Sequence, residues 1–250
     1  MSHCPHCSTD NPLGAMSCQS CGVRLMSWGT MLVTPAMAAL QTRPSVTVRV
    51  VRADGGPEAA FGLKKDEAIV GSAGDILLID DPFAARTQAR LYFDGAALMV
   101  DDIGGGNGVF ARVSNECWLT PGNELRCGRQ RLMLEALSPA CQPPTWGSPD
   151  PGYRARLVQL LEGGRRGDAF PLREGDNLIG RDSGDISFPG DGFVSGRHAV
   201  LSVSAEMVRI RDVGSSNGTF LRLGAPTRVG DGDQLLVGRH LLKLDVAAAA

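Results

Sequence analysis

The sequence repeats itself at an interval of about 110 residues, and this periodicity limits the fold more than any other feature. Val70-Gly-Ser-Ala-Gly-Asp-Ile76 is echoed by Ile179-Gly-Arg-Asp-Ser-Gly-Asp-Ile186. Asp102-Ile-Gly-Gly-Gly-Asn-Gly-Val-Phe110 is echoed by Asp212-Val-Gly-Ser-Ser-Asn-Gly-Thr-Phe220, and Leu125-Arg-Cys-Gly-Arg129 by Leu235-Leu-Val-Gly-Arg239, both at an offset of 110. A register kept over so long a span means two copies of one fold. Each copy reads as short strands, among them residues 154–161 and 207–211, separated by turns such as Glu162-Gly-Gly164 and Gly230-Asp-Gly-Asp233. The 32 glycines and 15 prolines amount to about 19% of the 250 residues, against an average of about 12%. Both residues disfavour helix interiors. The expected fold class is therefore mostly β: two antiparallel β-sandwiches with their functional loops at one end.

Ahead of the repeats, Cys4, Cys7, Cys18 and Cys21 form two Cys-x-x-Cys pairs separated by ten residues. A two-residue gap lets both thiolates of a pair turn inward on one tight loop, and two such knuckles supply four sulfurs for tetrahedral zinc. A core of about 25 residues is too small to hold itself together without a metal or disulfides. The segment resembles the small bacterial zinc ribbons placed ahead of signalling domains. A structural Zn2+ held by all four cysteines, with no open catalytic position, is the expectation. Cys117, Cys127 and Cys141 stand apart and read as packing or linker residues. His3 and His6 read as solvent-exposed. The first 44 residues carry only Arg24 and Arg43 against Asp10, too little positive charge for a phosphate backbone, and the whole chain has a net charge of −2. Nucleic acid is not an expected partner.

Two breaks divide the chain. Residues 22–44 have little charge and no clean period. Residues 138–152 hold five prolines in fifteen positions and read as a stiff, extended spacer. The expected organisation is a zinc ribbon at 1–25, a linker at 26–44, a first sandwich at 45–137, a Pro-rich linker at 138–152 and a second sandwich at 153–246. No apolar run reaches 18 residues and no signal peptide precedes the cysteines, so a cytoplasmic protein without a membrane span is expected.

The second copy carries Gly180-Arg181, then Val194-Ser-Gly-Arg-His-Ala199, then Ser215-Ser-Asn-Gly-Thr219. In this order the three motifs resemble the forkhead-associated (FHA) domain, a β-sandwich that reads phosphothreonine, over residues 153–246. The resemblance implies that Arg181 supplies a guanidinium and Ser195 a hydroxyl to the phosphate. It places a second hydroxyl at Ser216 and has Asn217 bond the ligand backbone. Gly196 and Arg197 belong to the same binding loop, Arg197 as a source of long-range attraction. Gly196 departs from the polar or basic residue the family often has there. Gly180, His198, Gly218 and Thr219 fall at positions that hold the loops in shape. The first copy resembles the same family over residues 45–137 with its binding positions changed: Ser72 for the arginine, Ala85 for the serine, Gln88 for the histidine and Gly106 for Ser216. Asn107 is kept, and Arg86 is a lone cation in the equivalent loop.

A phosphate dianion is best held by a charge-assisted donor ringed by neutral ones, which the second copy offers and the first lacks. Gly214-Ser-Ser-Asn-Gly218 also fits the hydrolase elbow Gly-x-Ser-x-Gly, but a strand pattern follows it where that elbow needs a helix. No nucleotide-binding loop is present, and no enzyme is expected. The expected function is a phosphothreonine-dependent adaptor in Ser/Thr kinase signalling, with a phosphorylated kinase or kinase substrate as partner. Self-binding through phosphorylated Thr30, Thr34 or Thr42 is a further expectation. The alternative is a phosphate-independent assembly protein that makes contacts through the ribbon and first sandwich.

Overall fold

The computed structural model describes residues 2–3, 7–11, 18–21, 43–52, 55–137, 146–149 and 152–247. Cys4, Cys141, the three tether threonines and most of both predicted linkers lie outside them. The chain forms two compact units, Met1–Thr42 and Arg43–Ala250. In the first, β1 (Ser2–His3) pairs antiparallel with β2 (Asp10–Asn11).

Among its described residues the second unit is all β apart from one 3-10 turn at Glu162–Gly164. Its strands follow from period-2 alternation: in β3 (Ser45–Val51), Val46, Val48 and Val50 are buried while Ser45 and Arg49 face outward. The first repeat continues with β4 (Ala59–Gly62), β5 (Glu67–Gly71), β6 (Ile76–Leu77), β7 (Ala89–Asp94), β8 (Ala97–Asp102), β9 (Val109–Arg112), β10 (Cys117–Leu119), β11 (Glu124–Cys127) and β12 (Gln130–Ala136). The second supplies β13 (Ala155–Leu160), β14 (Arg166–Leu172), β15 (Gly175–Gly180), β16 (Ile186–Ser187), β17 (Ala199–Val203), β18 (Val208–Asp212), β19 (Thr219–Arg222), β20 (Thr227–Val229), β21 (Gln234–Val237) and β22 (His240–Ala247). There are two sandwiches, but the repeats do not close on themselves.

The last three strands of each repeat complete the sandwich begun by the other. β10 pairs with β18, β12 with β13, β20 with β8, and β22 with β3. One five-stranded sheet runs β20-β8-β7-β5-β6 and its counterpart runs β10-β18-β17-β15-β16. Both stack on a single ten-stranded sheet, β14-β13-β12-β11-β19-β9-β21-β22-β3-β4. Its middle is the antiparallel pair β9–β19, with Leu221 opposite Ala111, so the halves are related by an approximate two-fold axis at that pair. The cores are mixed accordingly. Val229, Leu235, Val237, Leu242 and Leu244 pack with Val46, Val70 and Leu91. Leu119, Leu125, Cys127, Leu132 and Leu134 pack with Leu157, Ile179 and Ile210.

Two expectations change as a result. The sandwiches are not residues 45–137 and 153–246; each combines both repeats, and the chain crosses between them after β9 and again after β19. Nor do residues 138–152 space two domains apart. Ala136 lies opposite Ala155, and Leu137 N–H donates to Arg154 C=O at 2.8 Å, so the residues that flank the Pro-rich segment are antiparallel neighbours in one sheet. No helix among the described residues is long and apolar enough to cross a membrane.

Candidate functional site

The second repeat brings its three motifs together at one end of its sandwich. Arg181 follows directly on β15, and its N–H donates to the Ser195 carbonyl at 3.0 Å. The approach is close because residue 180 is glycine: a Cβ there would collide with the Ser183 and Gly196 carbonyl oxygens. Ser195 Oγ accepts the Ser216 N–H at 3.0 Å, which ties the second motif to the third and leaves the hydroxyl proton available to a ligand. Gly196 has nothing within 4 Å of where a Cβ would stand, so the approach to this loop is open. Arg197 is exposed. The Arg181 Nε donates to Asp182 Oδ2 at 2.7 Å in an exposed ion pair.

Beneath the loop lies His198, fully buried. Its Nδ1 accepts the Ser195 N–H at 3.1 Å, which puts the ring proton on Nε2, where it is donated to Gly218 C=O at 3.1 Å. Burial holds its pKa below the usual histidine value, against the opposing pull of the Gly218 carbonyl and of Asp212 and Asp191. In the first repeat Gln88 occupies the equivalent place: its Oε1 accepts the Ala85 N–H at 3.1 Å and its Nε2 donates to Gly105 C=O at 3.3 Å. Ser72 N–H donates to Ala85 C=O at 3.0 Å, as Arg181 does to Ser195. These contacts recur in both repeats, while the carbonyl that the Gln88 amide reaches, Gly105, is not the equivalent of Gly218, and the Ser195–Ser216 bond has no counterpart at Ala85 and Gly106.

The third motif hangs from Asp212. Its carboxylate accepts from Gly214 N–H, Ser215 N–H, Ser215 Oγ–H and Thr219 Oγ1–H, all at 2.6 to 2.9 Å. Burial would raise its pKa, but these donors outweigh burial and hold it low. Gly218 N–H closes the turn on Ser215 Oγ at 2.9 Å. β19, not a helix, follows Gly214–Gly218, so the elbow geometry of a hydrolase is not formed there. Asn217 Nδ2 donates to Phe193 C=O at 2.8 Å, and Asn107 makes the same bond to Phe83 C=O at 2.9 Å. This amide therefore fastens two loops in both repeats, whatever else it does.

Sequence reasoning missed the support that the first repeat gives this site. Asp191 is buried, and its Oδ2 accepts from Arg129 N–H and Gln130 Nε2, each at 2.8 Å. The turn between β11 and β12 fits only because Gly128, at φ 58°, has no side chain: a Cβ would stand 2.8 Å from Val194 Cγ2. The Arg129 guanidinium lies 4.6 Å over the Phe193 ring. The signal was present: Asp81 and Asp191 recur at the repeat offset, each two residues before a phenylalanine.

In the first unit, the Sγ atoms of Cys7, Cys18 and Cys21 lie within 4.8 Å of one another and could hold a metal ion. Zn–S bonds of about 2.3 Å at tetrahedral angles separate sulfurs by about 3.8 Å. Cys7 and Cys18 are 3.5 Å apart, so the donor set fits zinc. Buried Asn11 pins the two knuckles, donating to Thr9 C=O and accepting Gln19 N–H. Backbone N–H donation from Cys21 outweighs burial and, with Ser20 and Asn11, draws the Cys18 thiol down to about 6.

Residues 177–238 match the model of the FHA domain family. Over 95 residues, 37% of its length, the chain is 32% identical to the FHA domain-containing protein FhaB of Mycobacterium tuberculosis, and it spans 61% of that relative. Among solved structures, the FHA domain of the CT664 protein from Chlamydia trachomatis is 13% identical, with 80% of this chain and 96% of that one covered at a TM-score of 0.33. Mycobacterium tuberculosis EmbR, solved with a low-affinity phosphopeptide, is 26% identical over 37% of this chain and 24% of its own, at a TM-score of 0.22.

Proposed function

We propose that this chain docks a phosphothreonine-bearing protein segment on the loops around Ser195. One observation carries the reading: two loop frames that share the N–H of residue 72 or 181 on a facing carbonyl, and the Ala85 or Ser195 N–H held by Gln88 or His198, differ in Arg181 against Ser72, Ser195 against Ala85 and Ser216 against Gly106. Ser195 Oγ also ties down the Ser216 N–H, but its own proton stays free, and nothing within the loops uses the Arg181 guanidinium beyond its exposed pair with Asp182. The FHA-family match of residues 177–238 supports the same assignment.

In this reading the Arg181 guanidinium leaves Asp182 for the phosphate, and the Ser195 and Ser216 hydroxyls donate to the remaining oxygens. Neutral His198 holds Ser195 in register, Asn217 meets the ligand backbone from the loop it fastens, and Arg197 steers the anion in. The partner is a kinase or kinase substrate phosphorylated on threonine. Thr30, Thr34 or Thr42, if phosphorylated, would compete for the same loops from within the chain. The first repeat is the builder of this site and not a second reader, because β10–β12 complete the sandwich that carries it. Zn2+ on Cys4, Cys7, Cys18 and Cys21 would be structural, since four thiolates leave no open position.

Calorimetric titration of the full chain with a peptide in phosphorylated and unphosphorylated form tests the reading. Binding should require the phosphate, and Arg181→Ala should weaken it by about tenfold or more, the value of one charge-assisted hydrogen bond. Asp182→Asn should tighten it by no more than about fivefold, because an exposed ion pair is worth at most about 1 kcal/mol. Binding that ignores the phosphate, or that survives Arg181→Ala intact, would overturn it.

A further inference from the structure

Where the two sandwiches share their sheet, a groove of about 1080 Å³ runs from Phe193 and Asn217 of the second repeat to Phe83 and Asn107 of the first. It exists only because β9 and β19 join the halves. Two of its lining side chains, half-buried Arg126 and buried His240, hold buried nitrogens without the partners their chemistry calls for.

The first is Arg126 on β11, opposite Phe220, which follows Asn217 by three residues. Its Nη1 donates to Gly238 C=O at 3.1 Å and its guanidinium stacks 5.7 Å from the Phe110 ring, but its Nε is buried with no acceptor. Glu124, two residues away on the same strand, is already shared by Arg131 and Arg222. Burial, aided by repulsion from Arg131, disfavours the charged form of Arg126, and Asp81 only partly offsets this. The second is His240 at the start of β22, only 5% exposed, with both ring nitrogens buried and unbonded. Its Nε2 stands 3.8 Å from Asp81 Oδ2, beyond a hydrogen bond, and that oxygen already accepts the Arg239 N–H. Arg129 and Arg239 stand exposed at the same groove. A half-buried guanidinium whose Nε is buried and unbonded carries a cost, and the unbonded ring beside it adds to that cost. An anion in the groove would relieve both.

We infer that this groove is a second anion site, filled by an acidic or phosphorylated flank of the peptide whose phosphothreonine sits at Ser195. The inference rests on the docking reading above, because Phe193 and Asn217 belong to both the loop and the groove and lead one into the other. The shared chemistry is an oxyanion facing Arg126, and a free phosphate could also supply it.

The test uses the full chain with three ligands: a phosphothreonine peptide with neutral flanks, the same peptide with aspartate or phosphoserine three to five residues to either side, and inorganic pyrophosphate. The acidic flank should tighten binding by about tenfold, and the advantage should shrink as salt rises. Arg126→Met should bring the ratio of the two peptide affinities close to one. Arg129→Met and Arg239→Met, on exposed side chains, should each lower that ratio and guard against a folding defect in Arg126→Met. Pyrophosphate should erase the ratio only at concentrations far above those of the peptide; erasure at equal concentrations assigns the groove to free anions and overturns the peptide source. Equal affinity for neutral and acidic flanks, or a preference that persists in all three variants, overturns the inference while the neutral-flank peptide still reports on phosphothreonine docking. Failure of every phosphothreonine peptide to bind would overturn both.

Discussion

His198 and Gln88 do one job with different chemistry. Each accepts the N–H of the loop residue three positions earlier and donates to the carbonyl of a facing glycine, but only the imidazole can take up a proton. Protonating His198 would remove the acceptor that holds Ser195. Its folded pKa is depressed by burial, so the unfolded chain binds the proton more readily. The stability this residue contributes is therefore complete above the unfolded value near 6.5 and is lost as pH falls from there through the depressed folded value. His198→Gln, which imports the first repeat's own solution, should fold and should flatten that part of the pH dependence. Urea denaturation at pH 7.5 and 5.5 measures it, and a wild-type midpoint that does not fall more than the variant's would contradict the account. At this scale the contrast between the copies at Arg181, Ser195 and Ser216 can be read from the sequence, and the phosphate role drawn from it is the proposal made above. The sequence was unreadable where a side chain acts on its own backbone: neither the four hydrogen bonds on Asp212 nor the clamp from Asn217 to Phe193 leaves a pattern that spacing alone reveals.

At the level of elements, alternation exposed the strands because one face of each is buried, as in β3. The Pro-rich run misled because proline forbids helix and central strand but does not fix where a segment's two ends go; the Leu137–Arg154 hydrogen bond does. Cys-x-x-Cys spacing, by contrast, reports local geometry, and Cys7, Cys18 and Cys21 do come together, while Cys4 lies outside the described residues. Among the described residues their hairpin has two residue pairs and buries Cys18 and Asn11, so a metal held by the knuckles would carry much of its stability. Chelation should release one zinc per chain and expose Cys7, Cys18 and Cys21 to thiol reagents. Phosphopeptide affinity should stay within about twofold, because the binding loops belong to the separate unit Arg43–Ala250. Retained protection of the thiols after chelation would show that zinc does not build the ribbon.

The strand exchange belongs to the whole molecule and could not be read from the repeats, because what makes them recognisable also makes them interchangeable. β10–β12 and β20–β22 carry equivalent patterns, so either set satisfies either sandwich face. What separates the exchanged from the self-closed arrangement lies at the pseudo-two-fold joint. There Arg112 donates to Gln234 at 3.0 Å and Arg222 to Glu124 at 2.8 Å, two pairings related by the repeat offset. Asp191 and Asp81 likewise each hold the backbone N–H of an arginine from the other repeat, Arg129 and Arg239. Leu125, Leu132 and Leu134 are at most 1% exposed in a core shared with Leu157, Ile179 and Ile210 of the second repeat. At about 1.5–3 kcal/mol for each buried leucine, their withdrawal would cost an amount comparable to the stability of a whole domain. A protease site placed between residues 141 and 146 should therefore cut the covalent link without separating the halves. The nicked protein should elute on gel filtration as one particle, keep its phosphopeptide affinity and leave Cys127, whose thiol burial pushes up to about 12, unreactive until denaturant is added. Two fragments that part under native conditions would mean that each repeat closes on itself. The groove at Arg126 would then have no walls.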